Sequence, residues 1–326
     1  MSVPAPVYGL EEISPRAFQH PADRAATAAL QQIPYLDAVV RRLIQLGYER
    51  ALRQSHLGAA VRLGESQLPD IWGLHREAFQ VLDIEDVPDL YLTQWPIADA
   101  ATIGAGQPIV VLNSELVRLL DPDTLRAVLA HEAAHVLADH VLYQTALVIL
   151  LRLGTGARLP LLAGLPLVAL RTALLEWSRA AELSCDRASA LVTRDPMTVC
   201  RALMTIAAGE AAADLSLDAF VAQGIEYSEK GGGVDRLSRL FLQLNLTHPL
   251  PVRRVHELLA WVRGGDYDRI VGGDYVRRGE ESTLREETDA ASTHYGDRIR
   301  HAFQDVGESI ADVGQQLGDW LSRQRD

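Results

Sequence analysis

The sequence predicts a mainly α protein of the α+β class, in which a helical majority carries one small sheet. Three observations support this. Apolar residues recur at helical spacing, beginning with Leu36, Val39, Val40, Leu43, Leu46 and Leu52. Two short runs, DLYLTQWP at 89–96 and PIVVL at 108–112, have the β-branched and aromatic content of strands. Asp121, Pro122 and Asp123 supply an N-cap, a proline at the first helical position and a carboxylate in the first turn, so a helix starts there.

Taken in order, residues 1–20 are rich in proline and polar groups and read as a loose arm. An amphipathic helix follows over 35–54 and another over 70–82, so 1–87 is expected to be an N-terminal helical region. The two strand-like runs, separated by the small-residue stretch IADAATIGAGQ, are expected to be neighbours in a sheet. The helix from Asp121 continues through HEAAH at 131–135. The stretch 141–175 is the most apolar in the chain, but Arg152, Arg158 and Arg171 divide it into charge-free runs of 11 and 12 residues. A bilayer span needs about 20, so a buried or interfacial helical hairpin is the better reading, with peripheral membrane contact through 141–175 as its interfacial form. Further helices at about 173–209, 234–246 and 251–263 complete a second unit, 88–263.

Residues 264–295 are Gly-rich and charged and read as a linker, so 264–326 is expected to be a linker followed by an amphipathic helix. In that helix Ile299, Phe303, Val306, Ile310, Val313, Leu317 and Trp320 form a heptad-like seam. The seam fits two arrangements: docking on the chain's own domain, or helix pairing through 297–321 with a partner or a second copy.

Composition excludes several classes. The chain has 326 residues, 48% of them hydrophobic, enough for a large core. Its net charge of -12 repels phosphate backbones, so nucleic acid is not an expected partner. Cys185 and Cys200 are the only cysteines and cannot form a secreted disulfide framework. Glu11 and Glu12 stand where a signal peptide needs an apolar run. A cytoplasmic location fits, or a peripheral one at the inner face of the membrane.

His131 and His135 lie four residues apart on a helix, so their side chains project about 40° apart on adjacent turns and both imidazoles can reach one ion. Glu132 beside them has the place of a general base. The pentapeptide alone does not separate a metal site from two histidines one turn apart; a catalytic zinc also needs a third protein ligand. A motif that continues with glycine and a third histidine is excluded, because Ala138 and Val141 stand there. The other source is a glutamate on a later helix, and EWSRAAELSCDRAS at 176–189 offers Glu182 with Asp186 on the same face. Glu182 can ligate while Asp186 accepts the free N–H of a ligand histidine. Two solvated acids are the alternative, but Ala180, Ala181, Leu183, Ala188 and Ala190 make the surroundings too apolar for an exposed helix. His140, five residues past His135, is expected to point away from the pair as a polar neighbour and not a ligand, Cys185 reads as a small buried hydrophobe, and Trp95 and Trp177 as core or cleft wall.

The pattern over roughly 88–262 resembles the family of HtpX heat-shock proteases and CAAX prenyl endopeptidases. The segment GAGQPIVVLNSELVRLLDPDTLRAVLAHEAAHVLADH is similar to that family's strand region and zinc helix, and Ser178, Arg179, Glu182 and Asp186 match its glutamate helix. THPLPVRRV matches a His-Pro segment with an arginine six residues beyond the histidine, here His248 and Arg254. The chain has Asp99 and Ala100 where the family commonly has Asn-Ala.

The resemblance implies a zincin-like fold with a small sheet and a zinc-binding helix pair. One Zn2+ per chain would be held by His131, His135 and Glu182. Glu132 would act as base, His248 would donate to the oxyanion of the tetrahedral intermediate, and Asp186 and Arg254 would support the ligands. A polypeptide substrate would lie along an edge strand near 98–104, including Asp99, Ala100 and Gly104, through main-chain hydrogen bonds. The expected activity is endopeptidase cleavage of unfolded or misfolded proteins. The alternatives are a zinc-binding scaffold with an idle site, and a membrane-associated quality-control factor. The 264–326 tail is a candidate cover for the cleft.

Overall fold

Four short strands form one mixed sheet: β1 (Val61–Arg62), β2 (Asp89–Thr93), β3 (Ala100–Ile103) and β4 (Ile109–Asn113), in the order β1-β2-β4-β3. The two strand-like runs are neighbours as expected, β2 and β4 pairing in parallel from Asp89↔Ile109 to Thr93↔Asn113. Ile109 to Leu112 are all buried, which is why β4 reads as an unbroken apolar run. β3, made of Ala-Ala-Thr-Ile, pairs antiparallel with β4 and leaves its other side as a sheet edge. In this computed structural model the described residues are 8–44, 49–153, 165–229, 250–280 and 309–323, with single positions at 297, 300, 301 and 304.

The helices are α1 (Pro21–Gln31), α2 (Leu36–Leu43), α3 (Glu49–Ala59), α4 (Pro69–Val81), α5 (Ser114–Leu119), α6 (Pro122–Leu137), α7 (Val141–Leu153), α8 (Leu167–Thr193), α9 (Pro196–Ala208), α10 (Leu217–Glu229), α11 (Pro251–Arg263), α12 (Asp266–Val271) and α13 (Ile310–Arg323). α6 starts where the local signals place it, with Asp121 Oδ1 accepting from the Thr124 amide at 2.8 Å. The helix expected over 35–54 is described as α2 and α3, with 45–48 outside the described residues. The stretch 173–209 is divided at Arg194, which adopts a left-handed conformation at φ 54°, before Asp195 caps α9. The helix expected at 234–246 lies outside the described residues.

Two apolar cores are joined by α8. Its first half, Ala169 to Ala181, packs with α1, α2, α7 and α13; its second half, Cys185 to Val192, packs with α4, the sheet, α6, α9 and α11. Glu182 and Asp186 fall where the two cores meet.

Several expectations for the ends of the chain are corrected. Residues 8–20 are not a loose arm: Leu10, Ile13, Ser14 and Phe18 are buried, and Ile13 bridges to Arg277. For the same reason 264–280 is not a linker. α12 buries Tyr267 and Ile270, and the Ser14 and Arg278 amides donate to Val276 and Glu12 carbonyls across the two segments. The hairpin of α7 and α8 faces inward, with Leu142, Ala146, Leu147, Ile149, Leu150, Ala169 and Leu170 in the core, so these side chains are not offered to a membrane. No single helix among the described residues is long and apolar enough to cross one. Trp177 is core, whereas Trp95 is exposed.

The α13 seam docks on the chain's own domain, and the pairing through 297–321 is not supported. Val313, Leu317 and Trp320 are buried in the core shared with α2 and α7, each worth about 1.5–3 kcal/mol or more of apolar burial. Gly314 permits the approach, since a Cβ there would lie 2.9 Å from the Pro34 ring. Gly314→Val should therefore lower stability by about 1–3 kcal/mol in urea unfolding, and an unchanged midpoint would contradict this docking.

His75 is fully buried on α4, its Nε2 donating to the Pro88 carbonyl at 2.9 Å between the rings of Trp72 and Phe79. Burial depresses its pKa from 6.5 to about 4, outweighing the hydrogen bond to Pro88. The unfolded chain then takes up a proton below pH 6.5 that the folded chain refuses until about pH 4. Stability is complete above 6.5 and falls by about 3 kcal/mol through this site as pH drops across that window. His75→Phe should remove that part of the acid sensitivity when its unfolding free energy is compared with wild type at each pH. Parallel curves would refute the assignment.

Candidate metal centre

Helical spacing puts His131 and His135 on adjacent turns of α6, with ring centroids 5.0 Å apart. Ala130, Ala133 and Ala134 on α6 and Ala188 on α8 are small residues buried in the same apolar core. Ser189 Oγ ties the helices by donating to the Ala127 carbonyl at 2.6 Å. This close packing brings α8 within side-chain reach. His131 Nε2 lies 3.3 Å from Glu182 Oε2 and His135 Nε2 lies 3.3 Å from Glu182 Oε1. Two imidazoles and a carboxylate thus converge on one point.

The surroundings are strongly acidic. Asp186 Oδ1 lies 3.2 Å from His131 Nδ1, the relation expected for an acceptor of that ring's free N–H. Arg254 on α11 grips Asp186 with two hydrogen bonds, Nε to Oδ2 at 2.8 Å and Nη2 to Oδ1 at 2.6 Å, and its Nη1 lies 3.2 Å from Glu182 Oε2. Burial opposes the charge on Asp186, but Arg254 outweighs it and holds the carboxyl below its usual range. Four carboxylates, Asp99, Glu132, Glu182 and Asp186, line the pocket with one guanidinium among the described residues, so it favours a cation.

The two histidines differ. Burial opposes protonation of both, but Glu182 and the hydrogen bond to Asp186 lift His131 to about 9, whereas His135 falls to about 4 and is neutral, as a ligand must be. Glu132 is buried, and that burial raises its pKa. Its Oε2 accepts from Thr102 Oγ1 at 2.7 Å.

A cavity of about 470 Å³ opens at this point. Ile97, Ala98, Asp99 and Ala100 line one side, His131, Glu132, Glu182, Asp186 and Arg254 contribute polar groups, and Leu116, Val128, Val199, Leu203 and Ile206 are among its apolar lining. None of the described residues of 264–326 lines it, and 281–296 of the tail lie outside the described residues.

Of the residues picked from sequence, His131, Glu132, His135, Glu182, Asp186, Arg254, Asp99 and Ala100 come together here. Gly104 does not reach the cavity wall; it has φ 103° and its amide donates to Thr145 Oγ1 at 2.8 Å, so that amide is not open to a substrate. His248 lies outside the described residues. The Asp99 carbonyl accepts from the Asn113 amide, so by antiparallel alternation Ala101 and Ile103 pair with β4 while Ala100 and Thr102 turn their main-chain groups away from it; of these two, Ala100 is partly exposed and Thr102 is buried.

Sequence reasoning missed three side chains. Thr102 had no motif, although its place on the edge strand beside the zinc helix was a usable signal. Asp23 on α1 carries no local signal at all. His140 was read only as a polar neighbour; its Nδ1 lies 3.2 Å from His135 Nδ1 and its Nε2 lies 3.1 Å from Asp23 Oδ2. Cys185 is buried as expected, but its Sγ lies within 4.8 Å of ring nitrogens of His131 and His135, making it a rival metal donor. Burial, followed by the charges of Glu182, Asp23, Glu132 and Asp186, raises its pKa well above the usual thiol value. Glu182 already brings one oxygen within 3.3 Å of each ligand Nε2, which favours it over the thiol.

A histidine pair on one helix, a glutamate on the helix packed against it and an edge strand over the cleft define a zincin-like metalloprotease, a metal-dependent hydrolase. The chain belongs to peptidase family M48, whose model matches residues 74–262. It is 36% identical over 259 residues to the plastoglobule-localized metallopeptidase 48, chloroplastic, of Arabidopsis thaliana, covering 78% of this chain and 74% of that protein. No solved structure matches the chain.

Arg254→Met takes from the buried pair Asp186 and Glu182 one of the two cations that face them in the metal-free chain, the other being the protonated His131. The metal-free variant should lose about 3–5 kcal/mol in urea unfolding; a loss under about 1 kcal/mol, as for an exposed pair, would show that the guanidinium is not needed there.

Proposed function

We propose that the chain is a zinc-dependent endopeptidase acting on unfolded or misfolded polypeptides, with 88–263 as its catalytic unit and His131, His135 and Glu182 as the metal ligands. The observation that carries this reading is the convergence of two imidazole Nε2 atoms on the two oxygens of Glu182, next to a buried carboxylate, Glu132, in the wall of the same cleft. Two nitrogens and one oxygen with a fourth position left to the cleft suit zinc. Zinc held there supplies a Lewis acid that polarises the scissile carbonyl and acidifies water.

Glu132 takes the proton of the attacking water and returns it to the leaving amine. Thr102 holds one of its oxygens, leaving the other for the water. The elevated pKa of Glu132 lets the same group serve as base and then as acid. Asp186 keeps His131 in the tautomer whose Nε2 lone pair faces the metal, and Arg254 keeps Asp186 ionised. His248, in the role implied by the family pattern, donates to the developing oxyanion, worth about 3 kcal/mol of barrier.

The substrate lies along β3 at its partly exposed start, pairing with the Ala100 carbonyl, the Ala100 amide being already bound to Asp99 Oδ1 at 3.0 Å. Such pairing reads little sequence. The apolar cavity beside the site accepts a large apolar side chain, which unfolded chains display and folded ones bury. The two cysteines, both buried and free, fit a reducing compartment such as the cytoplasm.

Purified wild type loaded with zinc should cleave an unfolded protein such as reduced casein. Glu132→Gln should hold the same zinc and cut at least about 100-fold more slowly, the scale of a lost general base. Equal cleavage by both chains would refute the role of Glu132, and zinc bound without turnover by either would point to a scaffold.

A further inference from the structure

Resting on the metal-site reading above, the geometry points to a relay in which Asp23 and His140 position the ligand histidine His135 through a continuous hydrogen-bonded line. His135 Nε2 faces Glu182, so that nitrogen carries the lone pair and Nδ1 carries the proton. That proton has one ring acceptor in reach, His140 Nδ1 at 3.2 Å. An accepting Nδ1 places the proton of His140 on Nε2, which meets Asp23 Oδ2 at 3.1 Å. Every tautomer in the line is therefore fixed by the one before it.

The far end is anchored. Ser184 Oγ and Gln19 Nε2 donate to Asp23 Oδ2 at 2.7 and 3.0 Å, and Thr27 Oγ1 donates to Oδ1 at 3.2 Å. Ser184 in turn accepts from the His20 amide at 2.9 Å. Asp23, His140 and His135 are all buried, so no water competes for these bonds. The rings of His135 and His140 and of His140 and Trp177 stack edge to face, 5.3 and 5.5 Å apart, which holds His140 against rotation.

Asp23 lies on α1, outside the 74–262 span that the family model matches. The site is thus completed by an N-terminal helix packed on α8. Asp23 and His140 are positioning residues: they touch neither the substrate nor the metal. They orient the His135 ring and, through an anionic end, strengthen it as a donor. Asp186 does the same for His131, so each ligand histidine ends on a carboxylate, one directly and one through a second imidazole.

The test uses the full chain. Zinc affinity is measured by competition with a chromophoric chelator, and the visible bands of the Co2+-loaded protein report ligand geometry. His140→Phe keeps a ring against Trp177 but offers no acceptor, and His140→Gln can both accept from His135 and donate to Asp23. His140→Phe and Asp23→Asn should bind zinc about 10- to 100-fold more weakly, with the cobalt bands of His140→Phe displaced, while His140→Gln stays close to wild type. Wild-type affinity and an unmoved cobalt spectrum in His140→Phe would overturn the relay. So would a His140→Gln as weak as the phenylalanine variant, since hydrogen bonding would then not be what matters. Should His140→Phe not fold, Asp23→Asn decides, unchanged zinc affinity refuting the relay. A wild-type chain that takes up no zinc overturns the metal-site reading and the relay with it.

Discussion

The arrangement depends on how closely α6 and α8 approach. Ala130, Ala133 and Ala134 on α6 and Ala188 on α8 are small residues in one shared core, and with the helices this close Glu182 reaches both histidines. The contact also has a cost, because it buries Glu132, His131, His135, Glu182 and Asp186 at a helix interface where unpaired charge is unfavourable by several kcal/mol per ion. The neighbouring structure can be understood as compensation for that cost. Arg254 answers Asp186, Thr102 answers Glu132, and the cationic pull of the pocket is left for a metal to satisfy.

α8 makes this compensation possible because it belongs to both cores. Its first half is fixed by the N-terminal helices, α7 and α13, and its second half by the sheet, α4, α9 and α11. A helix held at both ends by separate apolar clusters cannot slide or rotate without disturbing one of them, so the acids midway along it are placed with little freedom. The segments that read as arm and linker contribute to the same rigidity. They pair with each other across Ile13 and Arg277 and close one side of the domain.

The edge strand joins recognition to chemistry. β3 packs over α6, so the buried side chain of Thr102 reaches Glu132 while Ala100, at the start of the strand, stays partly exposed. An extended peptide pairing there would sit against the strand that also holds the base. Gly104 terminates this edge, since its amide is already bound to Thr145 of α7.

The local features were legible because they are written in neighbouring residues. The cap at Asp121, the histidine spacing, the apolar run of β4 and the Glu182–Asp186 pair each depend on a few positions in sequence, and the family pattern tied them together. The terminal segments were misread because polar composition looks the same whether a segment is solvated or pairs with a distant one; the bridge of Ile13 to Arg277 and the bonds of Ser14 to Val276 and of Arg278 to Glu12 join positions more than 200 residues apart. The sequence by itself determined which side chains could meet a metal, because helix geometry converts spacing into direction. Only the tertiary structure decided what stands behind them. That Arg254 clasps Asp186, that Thr102 meets Glu132 and that Asp23 reaches His140 follow from packing between elements far apart in the chain, which no local periodicity encodes.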